Sequence, residues 1–391
     1  MVRRSLFLLL LSIVAASCAP AALPPIDSSK AFQAEADEKK LWDESEAFRR
    51  RLEKAGLVYE DQELENYLNS VAARLLGNRL QGTNVLPKVK VVKDPFLNAF
   101  ALPDGSIYFH TGLLARMENE AQLATVLGHE IAHFINRDSA RQLRYTENRQ
   151  TTARVLQTVL VLSVFGVFAD KLPDVWASAS VTGYSKEIEN EADGTGLNLM
   201  VAAGYDPKES LKAFDLLKQD WEEGKVKEPF FYGTPLLIED RVENMSRLVN
   251  GVYQKEAVQA ARLVNSESFS TEMQRVLLEN ALLDMNLGRM RLAEAVVEKH
   301  LRREPDSARG HFTRGEVFRR MGRLEDAAAE YVRAAALDSG YADPHRELGL
   351  LYRAQSRSNE SRAEFEKYLA LSPKALDAPI IRGYLQDAET P

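Results

Sequence analysis

The sequence predicts a mainly α-helical protein, in which a helical domain with a small β-sheet is followed by an α-solenoid. Three observations lead to this prediction. Apolar residues recur at helical spacing from Asp61 to Leu76, and a short alternating run from Val89 to Val92 indicates a strand. From position 274 to 375, small and large residues recur every 34 positions, which is typical of stacked helix pairs.

Length, charge and cysteine count narrow the possible classes of protein. The chain has 391 residues, enough for two or three domains with a sizeable core. Its net charge is −7 and both signs are mixed along the chain, which argues against a nucleic-acid partner. The chain has six histidines and a single cysteine, Cys18, so an internal disulfide and a cysteine-based zinc site are both excluded.

The N-terminus predicts a targeting segment. Basic residues precede the apolar run from Leu6 to Ala16, and residues 1–17 are interpreted as a signal peptide. Small residues before the lone cysteine resemble the bacterial lipoprotein box. Cys18 is therefore predicted to carry a lipid, and residues 18–44 to form a flexible tether and the start of an N-terminal helix. A plain secreted protein cut nearby is the alternative. Ala19 after the cysteine favours the outer membrane in the Gram-negative sorting pattern.

Residues 98–110 predict a β-hairpin, because Pro103, Asp104 and Gly105 supply a turn between two apolar stretches. Its first strand begins with Asn98, Ala99 and Phe100. A strand beside a metal-bearing helix can pair with an extended peptide, so these three residues are candidates for a substrate-binding edge. The alternative is that the hairpin only contributes to the core of the sheet.

The stretch from His129 to His133 reads His-Glu-x-x-His within a mostly apolar run that predicts a helix. Positions i and i+4 share one face of a helix, so His129 and His133 can hold one metal ion. Glu130 can then reach a water beside that ion and act as general base. This is the arrangement of zinc peptidases and predicts one Zn²⁺ per chain. The alternative is two surface histidines on an ordinary helix.

A catalytic zinc needs a third protein ligand and one open position. His110, at a strand end, is interpreted as structural rather than as a ligand. Three glutamates compete downstream: Glu187, Glu189 and Glu191. The helix face that continues from Glu189 is small and apolar, whereas the other two glutamates share a polar face. Glu189 is therefore predicted to point inward as the ligand, because a buried carboxylate needs a cation. A solvated glutamate-rich helix is the alternative.

Three further residues on the same helix support the predicted site. Asp193 lies one turn after Glu189, where it can accept the free N–H of a zinc-bound histidine. Gly194 and Gly196 are predicted to let two helices approach closely.

These motifs together resemble the gluzincin peptidases of the HtpX / CAAX-prenyl-endopeptidase family. The resemblance covers about residues 45–250 and rests on His-Glu-x-x-His, on the later Glu-x-x-Ala-Asp, and on the runs 98–105 and 203–207. It implies a gluzincin peptidase domain with zinc on His129, His133 and Glu189, and with Glu130 as the base.

One segment departs from the family pattern. Soluble relatives often carry His-Pro in the loop after the glutamate helix, and in some of them that histidine fills the fourth zinc position. Here the loop reads Thr234-Pro235, so we expect no histidine latch. Tyr232, Tyr184 and Arg241 are the candidates for steadying the oxyanion or the substrate. The apolar run 155–169 is short for a membrane span and is interpreted as a core or cleft-lining helix.

The repeats divide into units 274–307, 308–341 and 342–375, followed by a helix from Ala378 to Ala388. They resemble tetratricopeptide repeats and the repeat domain of BepA-type periplasmic proteases. The predicted domains are thus a peptidase at 45–252 and repeats at 253–391. The repeat groove is expected to bind a protein partner; packing only against the peptidase is the alternative.

The function predicted from the sequence is a zinc metalloendopeptidase of the bacterial cell envelope that acts on unfolded or misassembled proteins. The expected location is a periplasm-facing lipoprotein, at the outer membrane. The expected partners are peptide substrates, a protein bound to the repeats, and a membrane reached through the lipid. The first rival is a chaperone or assembly scaffold in which the repeats dominate and proteolysis is secondary. The second rival is an exopeptidase, although no acidic pocket for a free amine is evident.

Overall fold

The computed structural model describes residues 23–29, 31–147, 184–222, 235–257 and 262–387. The predicted signal peptide, Cys18, the apolar run 155–169 and Tyr232 lie outside these ranges. Across the described ranges, no helix is both long enough and apolar enough to cross a bilayer.

Ten short and medium helices and three strands make up the N-terminal part of the described chain up to residue 286. These elements are α1 (Ala36–Lys54), α2 (Gln62–Leu76), β1 (Lys88–Val92), β2 (Ala99–Ala101), β3 (Ser106–His110), α3 (Thr111–Arg116), α4 (Glu120–Ile135), α5 (Asp138–Glu147), α6 (Lys186–Ala202), α7 (Lys208–Glu222), α8 (Pro235–Arg247), α9 (Gln254–Ala257) and α10 (Ser266–Asn286). A π-helical turn, Leu248–Val252, joins α8 to α9.

The rest of the described chain is entirely helical. Its elements are α11 (Met290–Arg303), α12 (Ala308–Arg320), α13 (Leu324–Leu337), α14 (Ala342–Ala354), α15 (Ser358–Leu371) and α16 (Ala378–Asp387). Helices α10 to α15 form three antiparallel pairs, and α16 covers the last pair through Ile381, Phe365 and Tyr368. The predicted fold class, a mainly α-helical protein with a small β-sheet followed by helical repeats, is confirmed.

The sheet has the strand order β1-β3-β2, with β1 parallel and β2 antiparallel to β3. Side chains alternate between its faces. Ile107 and Phe109 enter the main core with α2 and α4, whereas Tyr108 packs on the opposite face with Phe48 of α1. The sheet is therefore buried on both sides, and β2 is left at its edge.

The repeats pack through small residues facing aromatic rings. A Cβ atom at Gly315 would lie 2.5 Å from the Tyr331 ring, and one at Gly349 would lie 2.5 Å from Phe365. Both distances are far below van der Waals contact, so only glycine lets the two helices of each pair approach this closely.

Helix α10 belongs to both parts of the chain. Phe269, Met273 and Val276 lie in the main core of the peptidase part, while Leu277 and Ala281 pack with α11. The first repeat is therefore continuous with the peptidase core.

The flexible-tether prediction is wrong for residues 23–29. Leu23 and Ile26 are buried, and the Ile26 N–H donates to the Ile135 carbonyl at 2.8 Å. Arg137 contributes to this packing, because it donates to the Pro24 carbonyl and pairs with Glu38. The segment before α1 thus lies against the end of α4, where apolar burial offsets the entropy of ordering it.

Candidate metal centre

Helix α4 carries the His-Glu-x-x-His stretch. Its N-cap is Asn119, whose side chain accepts the Gln122 N–H at 2.9 Å, and Glu120 lies in the first turn where the helix dipole favours a carboxylate. Every residue of α4 is buried. His129 and His133 therefore face a protein interior rather than solvent, which rules out the alternative of two surface histidines.

Helix α6 packs against α4 at a pair of glycines. A Cβ atom at Gly196 would lie 2.6 Å from the His129 backbone nitrogen, and one at Gly128 would lie 2.8 Å from the Gly196 carbonyl oxygen. Gly194 has nothing within 4 Å of such an atom, so the prediction that it serves the close approach is wrong. It lies on the side of α6 that faces away from α4.

The close approach brings Glu189 to the two histidines. Ligand atoms of His129, His133 and Glu189 all lie within 4.8 Å of one another, and this is the one such group of three among the described residues. Glu187 and Glu191 are exposed, and Glu191 pairs with Arg141 at 2.8 Å. The predicted inward orientation of Glu189 agrees with this arrangement.

Two aspartates orient the imidazoles. Asp193 Oδ1 lies 2.8 Å from His129 Nδ1, and Asp138 Oδ2 lies 2.8 Å from His133 Nδ1. A carboxylate accepts, so each Nδ1–H donates and each Nε2 keeps its lone pair. Asp193 was expected in this role. Asp138 was missed, although its position just after the motif and at the start of α5 could have suggested it.

The arrangement fits a metal ion. His129 Nε2 and His133 Nε2 are 3.0 Å apart and point their lone pairs at a common space. Glu189 Oε2 is buried and accepts no well-aligned hydrogen bond from the described residues, although a charged group, Arg241 Nη1, lies 3.1 Å away. Two imidazole nitrogens and a carboxylate oxygen are donors that a divalent zinc accepts. A cation between them would satisfy all three groups.

The acid–base properties of the cluster follow from its burial. Burial and the neighbouring His133 lower the pKa of His129 to about 3. Burial opposes protonation of His133 too, but the hydrogen bond to Asp138 and the charge of Glu189 outweigh it and raise the pKa of His133 to about 9. Burial raises the pKa of Glu130 to about 7.

Arg241 lies at the back of the cluster and is fully buried. Its guanidinium donates to both carboxylate oxygens of Asp193, at 2.9 and 2.7 Å, and its Nη1 lies 3.1 Å from Glu189 Oε2. The charge of Arg241 lowers the pKa of Asp193 well below its usual range, against burial. In this position Arg241 holds the carboxylates that surround the histidines. The predicted role in steadying an oxyanion is not what these contacts indicate.

Tyr184 stacks on the His133 ring with centroids 4.4 Å apart, and its hydroxyl is within 2.8 Å of the Ser139 hydroxyl. It therefore packs against the metal-binding pair as one wall of the site. Tyr232 lies outside the described residues. His110 is buried elsewhere, 3.4 Å from Asp94, and does not belong to the cluster. This location agrees with its interpretation as structural.

The edge strand lies beside Glu130. The Asn98 carbonyl accepts from the His110 N–H, and the Leu102 N–H donates to the Ser106 carbonyl. Backbone groups alternate in direction along an antiparallel strand, so those of Ala99 and Ala101 point away from β3. The Ala101 N–H donates to the Glu130 carboxylate. Of the three predicted edge residues, only Ala99, which is fully buried, turns its backbone groups away from β3, because Asn98 and Phe100 are paired with that strand.

The helical scaffold, the edge strand and the His-His-Glu cluster place the chain among the metallopeptidases. A family model confirms this: residues 60–271 match Peptidase family M48, and the chain belongs to that family. Residues 315–356 match a TPR repeat. The resemblance seen in the sequence is therefore confirmed for both parts of the chain.

Several proteins of known name are similar to this chain. The mitochondrial metalloendopeptidase OMA1 of Arabidopsis thaliana is 35% identical over 134 residues, which are 33% of this chain and 25% of that protein. The putative beta-barrel assembly-enhancing protease of Vibrio cholerae is 26% identical over 246 residues, 60% of this chain and 50% of that protein. The Escherichia coli beta-barrel assembly-enhancing protease is 27% identical over 41% of this chain and 34% of that protein. The chain thus spans between a quarter and a half of the length of these relatives.

Solved structures are only weakly similar to this chain. MamA covers 37% of this chain and 81% of its own, with a TM-score of 0.26 and 18% identity. The TPR protein YrrB covers 61% of this chain and 97% of its own, with a TM-score of 0.28 and 11% identity. We draw no conclusion about function from similarities this weak.

Proposed function

We propose that this protein is a zinc-dependent endopeptidase that cleaves unfolded or misassembled proteins in the bacterial cell envelope. The observation that carries the proposal is the pair of Nε2 lone pairs, 3.0 Å apart, facing Glu189 in a buried cluster beside Glu130. His129, His133 and Glu189 would hold the zinc. When bound, zinc would polarise the scissile carbonyl and acidify the attacking water.

The residues of the chain supply the rest of the chemistry. Glu130 takes the proton of the attacking water and passes it to the leaving nitrogen. Its burial favours this exchange, because the raised pKa lets the carboxyl group both accept and release a proton near neutral pH. The backbone groups of Ala99 and the carbonyl of Ala101, which point away from β3, would pair with an extended peptide. Such pairing uses backbone hydrogen bonds of the substrate rather than its side chains. Unfolded proteins expose these backbone groups, so they are suitable substrates.

The repeats are proposed to recruit a substrate or a partner protein. The match to TPR repeats supports this role, since helix pairs stacked in a solenoid expose an extended binding surface. Two bacterial relatives are named for assisting β-barrel assembly, which supports a role in the cell envelope.

The proposed location in the envelope depends mainly on residues outside the described ranges. We propose that residues 1–17 are a signal peptide and that Cys18 carries a lipid that holds the chain at the membrane, facing the periplasm at the outer membrane. We expect Cys18→Ser to release a soluble protein. A variant that stays on the membrane through salt and carbonate washes would refute the lipid anchor.

The test of the proposed function pairs a metal assay with cleavage of an unfolded protein. Purified chain should contain one zinc and should digest β-casein, and chelation should abolish both. Glu130→Gln should keep the zinc and lose nearly all hydrolysis, because the amide cannot accept a proton. Hydrolysis within about tenfold of wild type would refute the role of Glu130.

The same variant separates the two candidate functions. If Glu130→Gln restores full envelope function in cells that lack the protein, the scaffold reading is favoured and proteolysis is secondary. If it fails while its zinc content and fold are intact, the peptidase reading stands.

A further inference from the structure

The three repeat units share an arginine at the turn between their two helices. Arg289, Arg323 and Arg357 are spaced 34 residues apart. In each unit the arginine N–H donates at 2.9 Å to the carbonyl of the residue five positions earlier. The three arginines therefore share one backbone hydrogen bond. Differences in the contacts of their side chains reflect their surroundings.

In the second and third units the arginine contacts other repeat residues, and Arg323 also pairs with Glu294 of the first unit at 3.1 Å. The Arg323 guanidinium lies 3.9 Å from the Phe318 ring centroid, and that of Arg357 lies 4.2 Å from the Tyr352 ring. Their side chains are 43% and 45% exposed. These are surface cation–π pairs, of a kind that contributes about 0.5–1 kcal/mol.

The first unit departs from this pattern. The aromatic position is taken by Asp284, which is fully buried, and Arg289 is only 11% exposed. The Arg289 Nε lies 2.9 Å from Asp284 Oδ1. The same guanidinium also lies 4.7 Å from the ring centroid of Phe96, and its Nη2 donates to the Pro95 carbonyl at 3.2 Å. The first repeat thus contacts a segment of the peptidase part through Arg289.

That segment, residues 93–98, connects β1 to the edge strand β2. Arg116 also donates to the Pro95 carbonyl, at 2.9 Å, so two guanidinium groups converge on one oxygen. Asn280 of the first repeat extends the contact, because it accepts from the Thr111 hydroxyl at 3.1 Å and donates to Asp284 at 3.0 Å. The Thr111 hydroxyl in turn bonds the Asp94 backbone.

This contact lies close to the backbone groups of Ala99 that point away from β3. Only Leu97 and Asn98 separate Phe96 from Ala99. Because consecutive Cα atoms are a fixed distance apart, a displacement of residues 95 and 96 would also displace Ala99. A strand binds a peptide through several hydrogen bonds at once, so its affinity is sensitive to such a displacement.

We propose that Arg289 is a positioning residue for peptide binding: through Pro95 and Phe96, the first repeat holds the edge strand in the place where an extended substrate pairs with it. The inference rests on the proposed peptidase function. It makes the first repeat part of the peptide-binding apparatus.

The test compares Arg289→Ala with Arg323→Ala in the full-length, zinc-loaded chain. Arg323 is the matched control, because it occupies the same repeat position without touching the peptidase part. The probe is a quenched fluorescent peptide that contains a site at which the wild-type chain cleaves β-casein. Arg289→Ala should raise KM about fivefold or more, which is the effect of losing roughly one backbone hydrogen bond to substrate, and should change kcat less than about twofold.

Arg323→Ala should leave both constants unchanged, and neither variant should alter zinc content. Arg289→Lys keeps a positive charge near Asp284 but cannot reach Pro95 and Phe96 in the same way. If Arg289→Ala folds poorly, Arg289→Lys should be more stable than it, while its KM should stay above that of wild type. Equal KM values for the position-289 and position-323 variants, or a loss confined to kcat, would overturn the proposal.

Amide hydrogen exchange provides a readout that does not depend on activity. Exchange at residues 97–101 should be faster in Arg289→Ala or Arg289→Lys than in wild type or Arg323→Ala. Unchanged exchange there would refute the positioning role even if activity falls. If the wild-type chain binds zinc but cleaves nothing, the proposed function fails, and the exchange experiment still decides whether the repeat holds the edge strand.

Discussion

Two glycines on α6 offer a matched test of how the metal centre is assembled. An alanine at either position removes the same backbone freedom from the unfolded chain and gains the same helix propensity, about 1 kcal/mol. At Gly194 the new methyl group meets nothing within 4 Å. At Gly196 it would lie 2.6 Å from the His129 nitrogen and 2.8 Å from the Gly128 carbonyl carbon. These are backbone atoms, so the helices themselves must separate.

The magnitude follows from these distances. Ordinary contact needs about 3.5 Å, so α4 and α6 must part by roughly 1 Å. Overpacking of this kind costs about 1–3 kcal/mol. Because the propensity gain is common to both variants, the difference between them isolates the steric cost. Gly194→Ala should raise Tm by about 2–4 °C, and Gly196→Ala should fall below it by about 2–10 °C.

The assay is thermal unfolding of the metal-free chain in chelator, followed by competition for zinc against a chromophoric chelator. Separation of the helices moves Glu189 away from the histidines, so Gly196→Ala should weaken zinc binding about tenfold or more. Gly194→Ala should bind zinc as wild type does. Equal stability and equal zinc affinity in the two variants would show that the Gly128–Gly196 contact does not set the geometry of the site.

Three further predictions concern the ligands. Glu189→Ala should strip zinc, whereas Glu191→Ala, on the exposed face of α6, should not; the reverse result would exchange their roles. Asp138→Ala should weaken zinc by about 10–100-fold without abolishing binding, because it removes the acceptor that fixes the His133 tautomer; an unchanged dissociation constant would refute that function. X-ray absorption on the resting zinc protein should count two imidazoles, and a third that disappears with His110→Ala would reveal a histidine latch.

Much of the fold was predictable because it depends on local pattern. The 34-residue columns predict helix pairs, and the glycines that face Tyr331 and Phe365 show why those columns alternate small and large residues. The His-Glu-x-x-His spacing predicts two histidines on one helix face for the same reason. Both are properties of neighbouring turns, and the helical period is known in advance.

Contacts between segments that are distant in the sequence were harder to predict. The inward orientation of Glu189 could be inferred from the apolar face it shares, but the clustering of Arg241 with Asp193 and Glu189 could not. A carboxylate or guanidinium has no periodicity that marks its partner. Arg241 was therefore considered for an oxyanion role, whereas its contacts hold two buried carboxylates in place.

The sequence by itself determined the helical scaffold, and it predicted the repeat units and the candidate metal ligands, since each depends on spacing along one segment. The tertiary structure alone decided that Gly196 and not Gly194 meets α4, that residues 23–29 pack on the end of that helix, and that Arg289 leaves its repeat to hold Pro95 and Phe96. These outcomes depend on which surfaces meet in space. Moving a residue by one position along a helix places it on a different face, where it contacts a different neighbour. The composition and the period of the sequence stay almost unchanged.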